Sequence, residues 1–228
     1  MGNLCIIPAR GGSKRIPRKN IKPFLGKPII GYSIELALKS GLFDEVMVST
    51  DDAEISEVAR SFGAEVPFAR SAENANDFAT TMAVLKEVLE AYEKQGRTFE
   101  NVCCIYPTAP LIQENALREG FEKLHSENLA SVYPVTPFSF PIWRSVKIVD
   151  GLSQMNWPEF ANARSQDLPK AYHDAGQWYW FVPAKIDDTL FTENTGAVVL
   201  SEMEVQDIDS ETDWQMAELK YERIHRST

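Results

Sequence analysis

A basic loop near the N-terminus is the first feature whose residue types suggest chemistry. Six basic side chains lie between positions 10 and 22 around the pair Gly11-Gly12, although the whole chain carries a net charge of −10. Glycine lets backbone N–H groups approach a phosphate closely, and arginine or lysine neutralises its charge. The loop therefore predicts a site for a small polyanion. The alternative is an ordinary solvated run of charge.

The loop differs from two common nucleotide-binding motifs. Residues 7–15 read IPARGGSKR, which matches neither G-x-x-x-x-G-K-[ST] nor G-x-G-x-x-G. A P-loop kinase and a dinucleotide-binding enzyme are therefore disfavoured. Glycine amides with Arg10 and Lys19 suit the oxygens of a nucleoside triphosphate.

Asp207 and Asp209 form a second group with chemical potential. Carboxylates two residues apart point to the same face of an extended segment, where they can share a hard cation, with Mg²⁺ as the default. A solvated acidic turn, with Asp209 or Ser210 capping the last helix, explains the same residues. The residues alone leave these two interpretations balanced.

Buried strand-like runs alternate with amphipathic helical patterns along most of the chain. We predict strands at residues 4–7, 45–49, 65–68, 102–106, 130–135, 177–183 and 197–200, and helices at residues 31–38, 55–62, 82–92 and 116–124. A last helix follows the capping-box spacing of Thr212 and Gln215. This alternation predicts a single α/β domain over residues 1–228, a Rossmann-like three-layer sandwich with a mostly parallel central sheet.

Residues 137–171 interrupt the alternation with prolines, aromatic residues and polar residues. We expect an irregular excursion there whose aromatic surface is covered by a partner subunit.

Composition bounds the remaining classes of protein. The acidic balance disfavours general nucleic-acid binding, and no apolar run has the length of a membrane span or signal peptide, so we expect a cytoplasmic protein. Cys5, Cys103 and Cys104 lie in apolar strands, which predicts buried, reduced thiols.

Several motifs together resemble the cytidylyltransferases that activate sialic acids, the CMP-sugar synthetases. They lie at residues 7–14, 16–17, 19–20, 49–51, 70, 107–110, 164–166 and 206–209. The resemblance implies a nucleotidyltransferase-type fold, CTP as donor, Mg²⁺ at Asp207 and Asp209, and a homodimer whose arms cross. Arg10, Lys19 and the two aspartates are then the catalytic residues. The implied nucleotide-binding residues are Pro8, Ala9, Arg10, Gly11, Gly12, Ser13, Lys19, Asn20, Arg70, Thr80 and Thr81.

Two segments point to one branch of that family. Sialic acid synthetases usually carry Gln at position 106 and Asn-Gly at 175–176, whereas this chain has Tyr106 and Ala175-Gly176. It thereby resembles the members that act on pseudaminic acid, a nonulosonic acid used in flagellin glycosylation. Arg164 is the first candidate for the sugar carboxylate, with Arg144 second. The implied sugar-binding residues are Tyr106, Arg164, His173, Asp174, Gln177 and Tyr179.

Two alternatives remain at this stage. The same chemistry on N-acetylneuraminate, legionaminate or Kdo differs only in the sugar pocket. A nucleotide-binding regulatory module that has lost catalysis would not need the metal pair. The sequence assigns no general base, because a lone His173 beside an aromatic strand is more often a structural hydrogen-bonder.

Overall fold

The computed structural model describes residues 2–226. Helices and strands alternate along most of this range. The strands are β1 (Gly2–Pro8), β2 (Pro23–Phe24), β3 (Lys27–Pro28), β4 (Glu45–Ser49), β5 (Phe99–Ile105), β6 (Ser131–Pro137), β7 (Val146–Val149), β8 (Leu152–Met155), β9 (Tyr172–Asp174), β10 (Trp178–Phe181) and β11 (Thr195–Val199). The α-helices are α1 (Ile29–Ser40), α2 (Ala53–Ser61), α3 (Thr81–Lys94), α4 (Glu114–Ser126) and α5 (Glu211–His225).

The main sheet is largely parallel. Its strand order is β11-β6-β10-β5-β1-β4, and β9 pairs with β6 off this path. β1 runs parallel to β4 and β5, and β11 runs parallel to β6, whereas β10 is antiparallel to both of its neighbours. The predicted Rossmann-like α/β fold is confirmed, with β9 and β10 as its reversed strands.

The central strands are buried on both faces because their side chains alternate between two layers of core. In β10, Trp178 and Trp180 pack into the layer that contains α1, α2 and α4. Tyr179 and Phe181 point the other way, into the layer that contains α3. The helix α5 covers a third apolar cluster that includes the β2 residue Phe24.

Two local predictions are wrong. Residues 65–68 form no strand: Glu65 makes one isolated bridge to Met47, and Pro67 cannot donate a ladder hydrogen bond. The capping box of α5 consists of Ser210 and Asp213, not of Thr212 and Gln215. The helix begins earlier than expected, so Thr212 already lies inside its first turn.

Residues 137–171 leave the sheet as an irregular arm. It contains the β7–β8 hairpin and three short 3₁₀ turns, at Ile142–Arg144, Pro158–Phe160 and Ser165–Asp167. Ile148 and Leu152 of the hairpin are exposed. The covering partner stays a prediction.

The predicted thiol state agrees with the structure, since Cys5, Cys103 and Cys104 are free and buried. Within residues 2–226, no helix combines the length and the apolarity needed to cross a membrane.

Candidate functional site

Among the residues described, two adjoining clefts open beyond the carboxyl ends of β1, β5 and β6, where α/β sheets usually bind ligands. The first has a volume of about 520 Å³ and is lined by basic side chains that include Arg10, Lys19 and Arg70. The second has a volume of about 570 Å³ and contains Asp174 and Asp207. Tyr106 lines both, so its side chain forms their common wall.

The basic loop is tied to the end of β4. Ala9 is buried and donates its N–H to the carbonyl of Ser49 at 2.9 Å. Gly11 donates its N–H to Asp51 Oδ1, also at 2.9 Å, so this predicted phosphate donor already has a protein partner. Gly12 and Ser13 line the first cleft.

A strained residue turns the chain back toward the cleft. Arg18 has a left-handed backbone (φ 54°), which is uncommon for a side chain of this size. Its guanidinium holds both carboxylate oxygens of Asp52, at 2.5 and 2.9 Å, and fixes the bend. Lys19 and Asn20 follow in a 3₁₀ turn and line the first cleft, and Asn20 Nδ2 donates to the carbonyl of Arg10 at 2.9 Å.

A carboxylate lies among the cations of the first cleft. Arg10 Nη1 is 2.5 Å from Asp77 Oδ1, and Lys14 pairs with the other oxygen of Asp77. The hydrogen bonds from Lys14 and Arg10 lower the pKa of Asp77. The sequence did not indicate Asp77, because residues 71–79 show neither a periodic pattern nor a recognisable motif.

The floor of the first cleft holds Arg70 and Thr81. Arg70 is buried and donates to Ser49, to Oγ at 3.1 Å and to the carbonyl at 2.6 Å. Thr81 Oγ1 lies 3.1 Å from the hydroxyl of Tyr106. Thr80 does not line this cleft; its side chain caps α3 by accepting the N–H of Ala83 at 3.1 Å.

The two members of the acidic pair are placed differently: Asp207 lines the second cleft, whereas Asp209 lines neither cleft and contacts two cations of the first. Asp209 Oδ2 is 2.6 Å from Arg15 Nη1, and Asp209 Oδ1 is 3.8 Å from Lys19 Nζ. Partial burial and then the charge of Asp209 raise the pKa of Asp207. Burial lowers the pKa of Lys19, and the charges of Asp209 and Asp207 oppose that shift.

The Asp207 carboxylate forms no hydrogen bond or ion pair with any residue from 2 to 226. Two neighbouring carboxylates, one of them without a hydrogen-bond partner, are a donor set that fits a hard divalent cation. No group of three or more His, Cys, Asp or Glu side chains in that range is arranged to hold a metal. Ser210, and not either aspartate, supplies the side-chain cap of α5.

Two tyrosines and an aspartate form one wall of the second cleft. The Tyr179 hydroxyl donates to Asp174 Oδ2 at 2.6 Å, and the Tyr179 ring lies 5.4 Å from the Tyr106 ring. Burial is the main cause that raises the pKa of both tyrosines. His173 also lines this cleft; its ring packs on Phe138 and its Nδ1 lies 2.9 Å from the Asp174 carbonyl.

Two predicted sugar-binding residues lie outside both clefts. Gln177 is buried, and its carbonyl accepts the N–H of Tyr106 at 2.8 Å, so it supports the common wall from behind. Arg164 is exposed on the arm, immediately before the turn Ser165–Asp167. Arg144 is exposed on the same arm.

The fold and the basic cleft are those of a nucleotidyltransferase. Similarity to known proteins gives its family. A family model described as cytidylyltransferase matches residues 4–176. The chain belongs to the cytidylyltransferase family.

Individual relatives agree with this assignment. The chain is 44% identical to a pseudaminic acid cytidylyltransferase of Campylobacter jejuni (strain 81-176), over 100% of this chain and 99% of the relative. It is 32% identical to a CMP-N,N'-diacetyllegionaminic acid synthase of Legionella pneumophila, over 94% of each chain. Its fold is similar to that of CMP:2-keto-3-deoxy-manno-octonic acid synthetase complexed with CTP, with a TM-score of 0.69 and 17% identity over 98% and 99% of the two chains.

Proposed function

We propose that this enzyme transfers CMP from CTP to the anomeric hydroxyl of pseudaminic acid and releases pyrophosphate. The observation that carries the proposal is the common wall: a cationic cleft and a second polar cleft meet at Tyr106. Asp207 lines the second cleft, and Asp209 pairs with two cations of the first. The 44% identity over the whole chain to a pseudaminic acid cytidylyltransferase supports the choice of sugar.

The first cleft is the proposed CTP site. Arg10 and Lys19 neutralise the triphosphate oxygens, and the open backbone at Gly12 and Ser13 lets the chain approach them. Asn20 and Arg70 lie farther along the cleft and contact the cytidine, together with Pro8 and Thr81. Ala9, Gly11 and Thr80 act indirectly, since their polar groups hold the loop and α3 in place.

Asp207 and Asp209 are the proposed ligands of a divalent cation, Mg²⁺ by default. Such a cation, when bound, neutralises phosphoryl oxygens and lowers the pKa of a coordinated hydroxyl. The chain's own contribution is to place two carboxylates beside the triphosphate cleft. Arg15 holds Asp209 Oδ2, so Oδ1 of the same carboxylate, 3.8 Å from Lys19 Nζ, is the oxygen that would hold the cation.

The second cleft is the proposed sugar site. Tyr106 presents an aromatic face, which suits a deoxy sugar that ends in a methyl group and disfavours a hydroxylated tail. Asp174 fixes the Tyr179 hydroxyl, so this wall is rigid. Legionaminate and N-acetylneuraminate are the competing acceptors.

We further propose that the enzyme is a cytoplasmic homodimer. The arm carries exposed Phe138, Phe140 and Ile148, an apolar surface that a second copy would cover. Arg164 lies on this arm away from its own clefts, so a contact with a sugar would require the neighbouring subunit's site.

The experiment that tests the function is a substrate panel. Pyrophosphate release is measured with CTP, Mg²⁺ and pseudaminic, legionaminic, N-acetylneuraminic or Kdo acid. We expect pseudaminic acid to have the highest kcat/KM by at least about tenfold, which is ~1.4 kcal/mol in the barrier. A preference for another acid would contradict the sugar assignment, and no turnover of any acid would favour a regulatory nucleotide-binding module.

A further inference from the structure

The second cleft is acidic, which is a difficulty for an anionic substrate. The carboxylates of Asp174, Glu202 and Asp207 all lie in its wall. A sugar acid that enters this cleft brings a further negative charge, and like charges in a partly desolvated site disfavour binding. The proposed divalent cation offsets the charge of Asp207, and a cation of the chain would offset the repulsion from Asp174 and Glu202.

Lys220 of α5 is the lysine in that wall, and none of the residues that line the cleft is an arginine. Lys220 Nζ donates to the carbonyls of Val205 at 2.7 Å and Glu202 at 3.0 Å. An ammonium group has three N–H donors, so one remains for a ligand. Partial burial lowers the pKa of Lys220, and an anionic ligand would restore the lost stabilisation of its charge.

We infer that Lys220 binds the substrate carboxylate within its own subunit and is a specificity-determining residue for acid sugars. The inference rests on the proposed function. In a nonulosonic acid the carboxylate is attached to the anomeric carbon, so it lies next to the hydroxyl that attacks the phosphate. Asp207 and Lys220 line the same cleft, which places a cation where that carboxylate arrives.

A purely structural role for Lys220 has to be separated from this one. Its two hydrogen bonds tether the segment 202–205 to α5. If that tether were its whole role, losing it would lower activity on the acid and on its ester alike. Lys185 provides a matched control, because its Nζ also donates to two backbone carbonyls, of Asn128 at 3.2 Å and Leu129 at 3.3 Å, and it lines neither cleft.

The test compares the sugar acid with its methyl ester, using CTP and Mg²⁺, in wild type, Lys220→Met, Lys220→Gln and Lys185→Met. We expect the wild type to favour the acid over the ester by about 100-fold in kcat/KM. The Lys220 variants should lose most of that preference because their kcat/KM for the acid falls. The KM for CTP and the ester rate should change less than about threefold. Lys185→Met should keep the full preference. Lys220→Gln retains one hydrogen-bonding tether should the methionine variant fold poorly.

Three outcomes would overturn the inference. Equal losses on acid and ester would make Lys220 a structural tether. An unchanged preference would place the carboxylate elsewhere, and loss of the preference in Arg164→Ala with retention in Lys220→Met would assign it to Arg164. Failure of the wild type to use any sugar acid refutes the proposed function itself, which is a distinct result.

Discussion

Replacing Arg10 by Ala should weaken CTP binding much more than CMP binding. Arg10 lines the first cleft beside Lys14 and Lys19, in the position proposed for the triphosphate. CMP lacks the two outer phosphates, so a contact to those phosphates is absent from its complex. The ratio of the two affinities therefore reports where along the nucleotide Arg10 acts.

The size of the effect follows from the partner that Arg10 has now. Its ion pair with Asp77 is 2.5 Å long, and the two side chains are 35% and 33% exposed. A pair with this exposure contributes ~0–1 kcal/mol, whereas a hydrogen bond to a charged phosphate contributes ~1.5–3 kcal/mol. Exchanging the first for the second leaves ~0.5–3 kcal/mol, so CTP affinity should fall about 2- to 150-fold.

Calorimetric titration with CTP and with CMP measures both affinities. We expect a loss for CMP below about threefold, since only the outer contacts are removed. Arg60→Ala is the matched control, because Arg60 donates to the carbonyl of Val66 at 3.0 Å and lines neither cleft. Equal losses for CTP and CMP, or no loss for either, would refute the placement of Arg10 at the outer phosphates.

Three more outcomes are expected. Asp209→Asn should lower pyrophosphate release by about 100-fold or more with little change in unfolding temperature, and near-normal turnover would rule out a metal role. Gly120→Ala should destabilise the fold by ~1–3 kcal/mol in urea titration, because its Cβ would lie 2.3 Å from the Trp178 ring; unchanged stability would mean that the ring moves freely. Hydrogen bonding to its arginine partner lowers the pKa of Asp52 to about 2, below the value of an unfolded aspartate. This stabilisation is therefore present above about pH 4 and lost as the pH falls through 2. Asp52→Asn keeps a side chain that can cap α2, so the difference in unfolding free energy between wild type and this variant should close over that interval. A difference that persists at pH 2 would contradict the ion-pair explanation.

The sequence predicted the parts of the fold that depend on local pattern. Strands β1, β4 and β5 were found because buried side chains on both faces give continuous apolar runs, and α2 and α3 because their apolar residues repeat with helical period. The segment 65–68 also carries apolar residues, Val66 and Phe68, but it contains Pro67 as well. The neighbouring strand β4 makes only one bridge to it. Periodicity reports burial, and pairing depends on tertiary context.

The site was predictable where its residues are contiguous. Pro8, Gly12, Ser13, Lys19 and Asn20 line one cleft because a single loop carries them. Single residues that reach the site across the fold gave no signal in the sequence.

Asp77 is one such residue, since it lies 67 positions from Arg10 in the chain and meets it only in the folded structure. Lys220 is another, because the sequence shows only a lysine on a helix, and such a lysine is usually solvated. The packing of α5 against the fold is what places it in the second cleft. Thr80 and Thr81 are adjacent in the chain, and the residue at which α3 begins determines their roles. Thr80 caps the helix, and Thr81 faces the cleft.

The common wall at Tyr106 has a consequence for how sugar preference evolves in this protein. Its hydroxyl contacts Thr81 in the cleft proposed for CTP, and its ring packs near Tyr179 in the cleft proposed for the sugar. A replacement that reshapes the acceptor pocket therefore also removes a polar partner from the donor pocket. Under the proposed assignment of the clefts, acceptor range and donor affinity are coupled at this position, and a lineage that changes its sugar here would keep its nucleotide affinity by a second change near Thr81.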